Sequence, residues 1–211
     1  MQGPARHLSE DLPQSSSPPG DPLQGVRRQL STLDPEGIPL LPALSTRLPT
    51  LTLNDRLTLH LGHVTMEIVH RQAHTPNSLM VYLPEQKILF SGDIVCSGGL
   101  PAFQEALVLP WLKTLETVMD MDLQWVVPGH GDICTKEGVK RFRGQIEDLL
   151  RTVQKEMDRG IPKDDIVDQI RFPDHVHVTT DSYQGYPQDM LENFQRVSIS
   201  NIYDQLSHRT G

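Results

Sequence analysis

The sequence predicts a mixed α/β fold of the α+β type, in which helices cover a sheet. Short segments between residues 51 and 90 alternate apolar and polar residues, as half-buried strands do. Segments from residue 111 onward repeat apolar residues at the spacing of an amphipathic helix. One further apolar strand, residues 123–127, lies between the helical segments. This order of strands and helices favours a sheet with helices packed on it.

The composition excludes several classes of function. The chain has 211 residues, of which 37% are hydrophobic, and this suits one domain with a real core. A net charge of −8 without any basic run argues against a nucleic-acid partner. No apolar run approaches the roughly 20 residues that span a bilayer, and no apolar signal core begins the chain. We therefore expect no membrane partner and a cytoplasmic location, with Cys96 and Cys134 as reduced thiols in or near the core.

The first 49 residues form a Pro- and Ser-rich segment that we do not expect to fold independently. Nine of the 17 prolines lie in this segment, and proline interrupts both helices and strands. A short helix is predicted at residues 23–33, where apolar residues recur at helical spacing. Asp21 followed by Pro22 resembles the start of that helix. The folded domain is expected to span residues 50–207.

Alternating apolar residues predict the strands of this domain, and turn residues separate them. Asn54-Asp55 interrupts the first alternating run, and Pro84-Glu-Gln86 predicts a tight turn. Pro128 is expected to end the last strand. The predicted strands are residues 51–61 with that interruption, 64–70, 79–83, 87–90 and 123–127.

Apolar stripes at helical spacing predict four helices in the domain. The longest is expected to stop near Gly160, because glycine commonly ends helices. The predicted helices cover residues 111–119, 139–157, 163–170 and 190–206.

Three residues of metal-binding type follow predicted strands, each in a loop shaped by glycine or proline. They are His74, Asp93 and His130, separated by 19 (93 − 74) and 37 (130 − 93) residues. Singly, each has a simpler interpretation: a loop histidine, a turn aspartate bonded to its own backbone, and a tight turn. Together they offer the nitrogen and carboxylate donors that zinc prefers. The sequence therefore predicts a metal site built from these three residues.

The motifs around these residues resemble those of metallo-β-lactamase superfamily hydrolases. They are His74-Thr-Pro-Asn-Ser78, Ser91-Gly-Asp93 and Pro128-Gly-His-Gly131, in that order and with strands between them. The resemblance runs from about Pro49 to Leu206 and covers the C-terminal half of such a hydrolase. It implies an αββα sandwich with the metal centre at one edge of its two sheets. An aspartate at position 93, where true β-lactamases carry cysteine, resembles the glyoxalase II-like branches.

The resemblance also implies roles for the three residues. His74 would help to hold a first metal, Asp93 would bridge two metals, and His130 would hold the second. One or two zinc ions are expected. A metal-activated water would attack an ester, thioester or amide-type bond of a small-molecule substrate.

One motif of the family is missing upstream of His74. Family members carry a His-x-His-x-Asp-His loop there, whereas upstream of His74 this chain has only His7, His60, His63 and His70. His60 and His63 have a His-x-x-His spacing that lacks the Asp-His pair. His175-Val-His177 lies on the wrong side of the pattern. We therefore expect an N-terminally incomplete sandwich, lacking that loop and its strands and incomplete as a standalone catalyst. An exposed sheet edge would then be open to a complementing chain or to self-association.

A non-catalytic alternative stays open. The chain can equally be a remnant, or a binding or regulatory module, that retains a weak metal site. Aromatic residues in or directly beside two candidate substrate loops can line a pocket, although core packing is the favoured use of most of them. The loops are residues 98–110 and 171–189, and the aromatic residues are Phe103, Trp111, Tyr183 and Tyr186.

Overall fold

A computed structural model describes residues 34–43, 49–171 and 188–208, and the chain divides into two compact units, Met1–Arg47 and Leu48–Gly211. In the first unit, Pro35–Ala43 forms a 3₁₀ helix. Its three prolines hold φ near the value that such a helix needs. The helix predicted at residues 23–33 lies outside the described residues, as do His175 and His177.

The second unit contains a five-stranded sheet, and this confirms the predicted α/β class. The strand order is β1-β2-β3-β4-β5, so β1 and β5 are the edges of the described sheet. The first four strands are antiparallel neighbours, whereas β5 runs parallel to β4. A parallel pair needs a crossover connection, and a helix supplies it here. The strands are β1 (Arg56–Leu61), β2 (Val64–Arg71), β3 (Ser78–Leu83), β4 (Ile88–Cys96) and β5 (Trp125–His130).

Four α-helices of the second unit lie close to the predicted ranges. The second of them ends as predicted near Gly160, where the Gly160 N–H donates to the Met157 carbonyl and the Ile161 N–H to the Glu156 carbonyl. With φ of +74° at Gly160, these bonds form a Schellman motif. None of the helices in the described ranges is long and apolar enough to cross a membrane. The helices are α1 (Val108–Asp120), α2 (Lys136–Asp158), α3 (Lys163–Gln169) and α4 (Gln188–Ser207).

The core lies between one face of the sheet and the helices. Trp111 of α1 is fully buried and packs against Phe142 of α2, with ring centroids 5.7 Å apart. Both cysteines are buried and unpaired, as predicted. Burial raises the pKa of each thiol, so both stay protonated at neutral pH. The inner sheet face contributes Val69, Met80, Leu89 and Val126, and α1 and α2 contribute Leu115, Val118, Val139 and Ile146.

The opposite face of the sheet is also apolar but only partly covered. Val81 pairs with Phe90, and Phe90 pairs with Val127, so these three side chains share a face. Leu79 and Phe90 on this face are 45% and 43% exposed. Strands that are apolar on both faces are typical of sheets covered on both sides. The sheet therefore has one buried face and one apolar face that is open within the described residues.

Two strands extend further than their sequence predicted. β4 continues past Phe90 to Cys96, because register shifts on either side of Gly92 let it bend and resume pairing. β5 continues through Pro128 to His130. Proline is tolerated there because β5 is an edge strand and Pro128 pairs at one of these shifts. Asp93 and His130 therefore lie within strands, and not in the loops that were predicted for them.

Adjacent residues of β4 test which sheet face carries the core. Leu89→Ala should lower the free energy of unfolding by about 2–5 kcal/mol, because Leu89 is fully buried. Phe90→Ala is the matched control on the open face and should cost less than half as much. Urea unfolding of both variants measures the difference. Equal losses would contradict the assignment of the open face.

Candidate functional site

The loop that carries His74 is closed by its own side chains. It connects β2 to β3, and the Thr75 N–H donates to the Ser78 hydroxyl at 3.0 Å. The Ser78 N–H in turn donates to the Thr75 carbonyl at 3.4 Å. The His70 ring contacts the Pro76 carbonyl through Nε2 at 2.8 Å. Asn77 stands where the resembling motif has glycine, and it needs no left-handed backbone. The loop thus has a fixed shape.

Helix α1 and the residue before it anchor the backbone that leads into His74. The Leu107 N–H donates to the Ala73 carbonyl at 2.9 Å. The Thr114 hydroxyl donates to the Gln72 carbonyl at 3.2 Å. These two bonds fix the two residues immediately before His74, so the position of the imidazole follows the position of α1.

Asp93 projects from the irregular part of β4. Gly92 adopts φ of +51°, which produces the register shift just before Asp93. The close backbone approach lies at Gly129 of β5, and not at Gly92. A side chain on Gly129 would meet the Asp93 carboxylate at 1.9 Å and the Asp93 backbone nitrogen at 2.7 Å. The strand pair therefore admits Asp93 only because residue 129 has no side chain.

His130 ends β5 and is held by backbone contacts with β4. The Ser97 N–H donates to the His130 carbonyl at 2.9 Å. Gly131 follows with φ of +84°, and a side chain there would meet the Ser97 carbonyl oxygen at 1.6 Å. Both features require glycine, because other residues rarely adopt this φ and none would fit. His130 is thereby brought to the side of Asp93.

The three predicted residues meet around the carboxylate of Asp93. His74 Nε2 lies 3.7 Å from Asp93 Oδ2, and His130 Nε2 lies 3.6 Å from Asp93 Oδ1. Both distances exceed those of a hydrogen bond. Each carboxylate oxygen thus faces a different imidazole. The side chain of His74 is 22% exposed, whereas those of His130 and Asp93 are 38% and 41% exposed.

The environment of His74 favours its neutral form. Burial lowers the pKa of this imidazole, and the charge of Asp93 acts in the opposite direction without reversing the shift. His130 adds to the lowering, and Glu105 opposes it. At neutral pH the contact with Asp93 is therefore not an ion pair. A neutral imidazole is the form that binds metal ions.

Each of the two nitrogen–oxygen pairs has nearly the spacing of two ligands on one zinc-type ion. The three side chains do not, however, form one complete cluster around a single ion. Two donors on one tetrahedral zinc ion lie roughly 3.3 Å apart, given bonds of about 2.0–2.1 Å. The two observed nitrogen–oxygen distances are slightly longer than this. Among the described residues, however, no group of three or more His, Cys, Asp or Glu side chains is arranged to hold one ion. The arrangement is two donor pairs that share the Asp93 carboxylate.

The remaining described histidines of the sheet are not part of this arrangement. His60 and His63 are exposed on β1 and on the turn after it. The nearest polar partner of His60 is the Thr65 hydroxyl, 3.5 Å from Nδ1. His70 contacts backbone carbonyls through both ring nitrogens. His70 therefore supports the His74 loop through its contact with the Pro76 carbonyl.

Sequence reasoning missed the contact between Trp111 and His74. Trp111 and Phe103 are fully buried, in agreement with the core packing favoured for them. Trp111 additionally lies with its ring centroid 5.5 Å from that of His74. The apolar stripe of the helix indicates that Trp111 faces inward, but nothing in the spacing identifies His74 as its neighbour. Tyr183 and Tyr186 lie outside the described residues.

Sequence similarity extends over the part of the chain that carries the three residues. The family described as the Metallo-beta-lactamase superfamily matches residues 6–130, a range that includes all of them. A linear primary-alkylsulfatase of Pseudomonas sp. is 22% identical over 170 residues, covering 74% of this chain and 30% of that protein. The acyl-coenzyme A thioesterase MBLAC2 of Homo sapiens is 30% identical over 87 residues, covering 39% of this chain and 31% of that protein.

A solved structure is similar over a comparable stretch. A metallo-beta-lactamase from Pontibacter korlensis is 23% identical, with a TM-score of 0.44, and the match covers 59% of this chain and 62% of that one. The chain spans about a third of the length of the curated relatives that it matches.

Replacing Gly129 of β5 or Gly131, which directly follows β5, should disrupt the backbone on which the site is built. Gly131→Ala and Gly129→Ala should each lower the free energy of unfolding by more than about 1 kcal/mol, because neither position has room for a side chain. Gly144→Ala is the control. It lies inside α2 with nothing within 4 Å of the added carbon, so it should stabilise the chain by about 0.5–1 kcal/mol. Denaturant unfolding of the three variants measures these free energies. An unchanged free energy of unfolding in Gly131→Ala would contradict the observed close contact with Ser97.

Proposed function

Because this chain belongs to the metallo-β-lactamase superfamily, we propose that His74, Asp93 and His130 are ligands of a metal-dependent hydrolase centre. The single observation that carries the proposal is the shared carboxylate of Asp93, which faces one imidazole with each oxygen. The distances are too long for hydrogen bonds and close to those between two ligands of one metal ion. Zinc is the proposed ion, since imidazole and carboxylate are among its preferred ligands.

Each residue has a distinct part in this proposal. His74 and His130 would each offer one ring nitrogen, and Asp93 would link the two positions with its carboxylate. A bound divalent ion would supply Lewis-acid activation of a water molecule and of the substrate bond. Burial keeps His74 neutral and ready to bind, and its loop and α1 hold the ring near Asp93. His130 is the more exposed of the two imidazoles, so a small-molecule substrate would approach the centre from its side.

The proposed reaction is hydrolysis of an ester, thioester or amide-type bond. Two relatives support this class by their names, since one is an alkylsulfatase and the other an acyl-coenzyme A thioesterase. Both names describe cleavage of an ester-like bond to a leaving group. A water nucleophile beside a carboxylate and two imidazoles suits such reactions.

We further propose that this chain alone is an incomplete catalyst. Three side chains supply fewer protein ligands than two four-coordinate zinc ions require. Additional ligands would come from a complementing chain or from self-association, and the apolar sheet face and the β1 edge are surfaces for either. The alternative is a non-catalytic module that binds metal weakly, and a small number of protein ligands is compatible with it as well.

Zinc titration of the purified chain tests the centre directly. Asp93→Asn keeps the size of the side chain but removes its charge, and it should weaken zinc binding by at least about tenfold because both donor pairs lose their shared member. His74→Ala and His130→Ala should each weaken binding as well. His60→Ala is the matched control, an exposed strand histidine that should leave affinity unchanged. Calorimetry with elemental analysis measures affinity and stoichiometry.

Equal zinc affinity in Asp93→Asn and in the unaltered chain would refute the centre. Tight binding of two zinc ions by the chain alone would instead refute its incompleteness.

A substrate panel separates the enzyme from the binding module. Ester, thioester and lactam substrates are offered to the zinc-loaded chain, with the Asp93→Asn variant as control. We expect low turnover that this variant abolishes. Zinc binding without any turnover would favour the non-catalytic module. Turnover that survives Asp93→Asn would show that the activity arises elsewhere.

A further inference from the structure

The His74 ring lacks the polar support that usually orients a metal-binding histidine. Such a histidine normally donates its second ring nitrogen to a carboxylate or a carbonyl, which fixes the ring orientation. Nδ1 of His74 is buried and has no hydrogen-bond partner among the residues that the structure describes. Because Nε2 faces Asp93 at 3.7 Å, no hydrogen bond holds the ring from that side either. The orientation of the ring must therefore come from packing.

Trp111 provides that packing. Its indole meets the His74 ring edge-on, with ring centroids 5.5 Å apart and an interplanar angle of 68°. This is a favoured geometry for aromatic pairs, and it orients one ring relative to the other. Trp111 is fully buried, whereas the His74 side chain is 22% exposed. The indole thus covers the buried side of the imidazole, and the uncovered side faces Asp93.

The same indole also contacts the strand that carries Asp93. Its Nε1–H donates to the Ile94 carbonyl at 2.9 Å. Ile94 directly follows Asp93, so this hydrogen bond fixes the backbone next to the carboxylate. One side chain therefore touches the elements that carry both members of the His74–Asp93 pair. A change in its size or position would alter the distance between them.

Trp111 is itself held rigidly enough to act in this way. Phe103 packs against it with ring centroids 5.3 Å apart, and Phe142 of α2 packs against it at 5.7 Å. Thr114 lies one helical turn further along α1 and holds the Gln72 carbonyl. Residues three apart on a helix share a face. The face of α1 that carries Trp111 and Thr114 is therefore the surface on which the His74 loop is fixed.

We propose that Trp111 is a positioning residue, which sets the separation and relative orientation of His74 and Asp93 without contacting metal or substrate. The expected effect of Trp111 on zinc affinity rests on the proposed function, whereas its expected effect on the orientation of the His74 ring does not. Trp111→Phe removes the bond to Ile94 and shortens the ring that packs against His74. The imidazole should then sample more than one orientation.

Two readouts on Trp111→Phe test the proposal. In the metal-free chain, NMR signals of the labelled His74 ring should shift and broaden relative to the unaltered protein. Zinc affinity, measured by calorimetry, should fall on the order of 10- to 100-fold, the range found when outer support of a metal ligand is removed. Val153→Ala is the control, because it removes fully buried side-chain volume from α2 about three helical turns beyond Phe142, the residue of α2 that packs against Trp111. It should lower the melting temperature but leave the ring signals and the zinc affinity unchanged.

A measurement on the unaltered chain keeps the test independent of the folding of the variant. The chain has two tryptophans, and their indole N–H signals can be followed during zinc titration. The Trp111 signal should shift as His74 is drawn toward the ion, whereas the signal of half-exposed Trp125 should not. Unchanged His74 signals in metal-free Trp111→Phe would overturn the positioning role. If the His74 signals of Trp111→Phe are perturbed but the unaltered chain does not bind zinc, the positioning role stands. Only the proposed metal centre is then refuted.

Discussion

The site depends on the close contact between β4 and β5 at two glycines. A side chain on Gly129 would overlap Asp93, and one on Gly131 would overlap the carbonyl of Ser97. Strands can approach this closely only where side chains are absent. The contact brings His130 within 3.6 Å of Asp93, although 37 residues (130 − 93) separate them in the sequence. The positions of the side chains at the site therefore depend on the backbone of this strand pair.

Local patterns predicted most of the fold and identified the residues of the candidate site, which stay a prediction. Alternation identified the strands, helical spacing identified the helices, and the order of the three motifs identified His74, Asp93 and His130. The strand ends were missed, because the register shift at Gly92 arises only when β4 pairs with β5. An isolated sequence segment contains no information about that pairing. For the same reason the sequence predicts that Pro128 ends its strand. In the structure Pro128 lies within β5, where proline is tolerated because β5 is at the edge of the described sheet.

Contacts between distant segments could not be predicted in the same way. The apolar stripe of α1 shows that Trp111 is buried, but many core residues are equally suitable neighbours for an indole. Its edge contact with His74 and its bond to Ile94 result from the packing of α1 on the sheet. The same holds for the sheet faces: both are apolar in sequence, and only the structure shows that the helices cover the face of Leu89 and leave Phe90 partly exposed. Periodicity assigns residues to faces, and packing decides which face is covered.

The two imidazoles are held by different means, and this makes the site asymmetric. His74 is positioned through side chains and backbone bonds that originate in α1, and its ring is mostly buried. His130 is positioned by the backbone of β5 and is more exposed. Binding is strongest where ligands are fixed before the ion arrives. In the proposed metal centre, the His74 side would therefore be the pre-organised half, and the His130 side would be the half more open to solvent. Because Asp93 faces both, a movement of β4 at this residue changes both halves together.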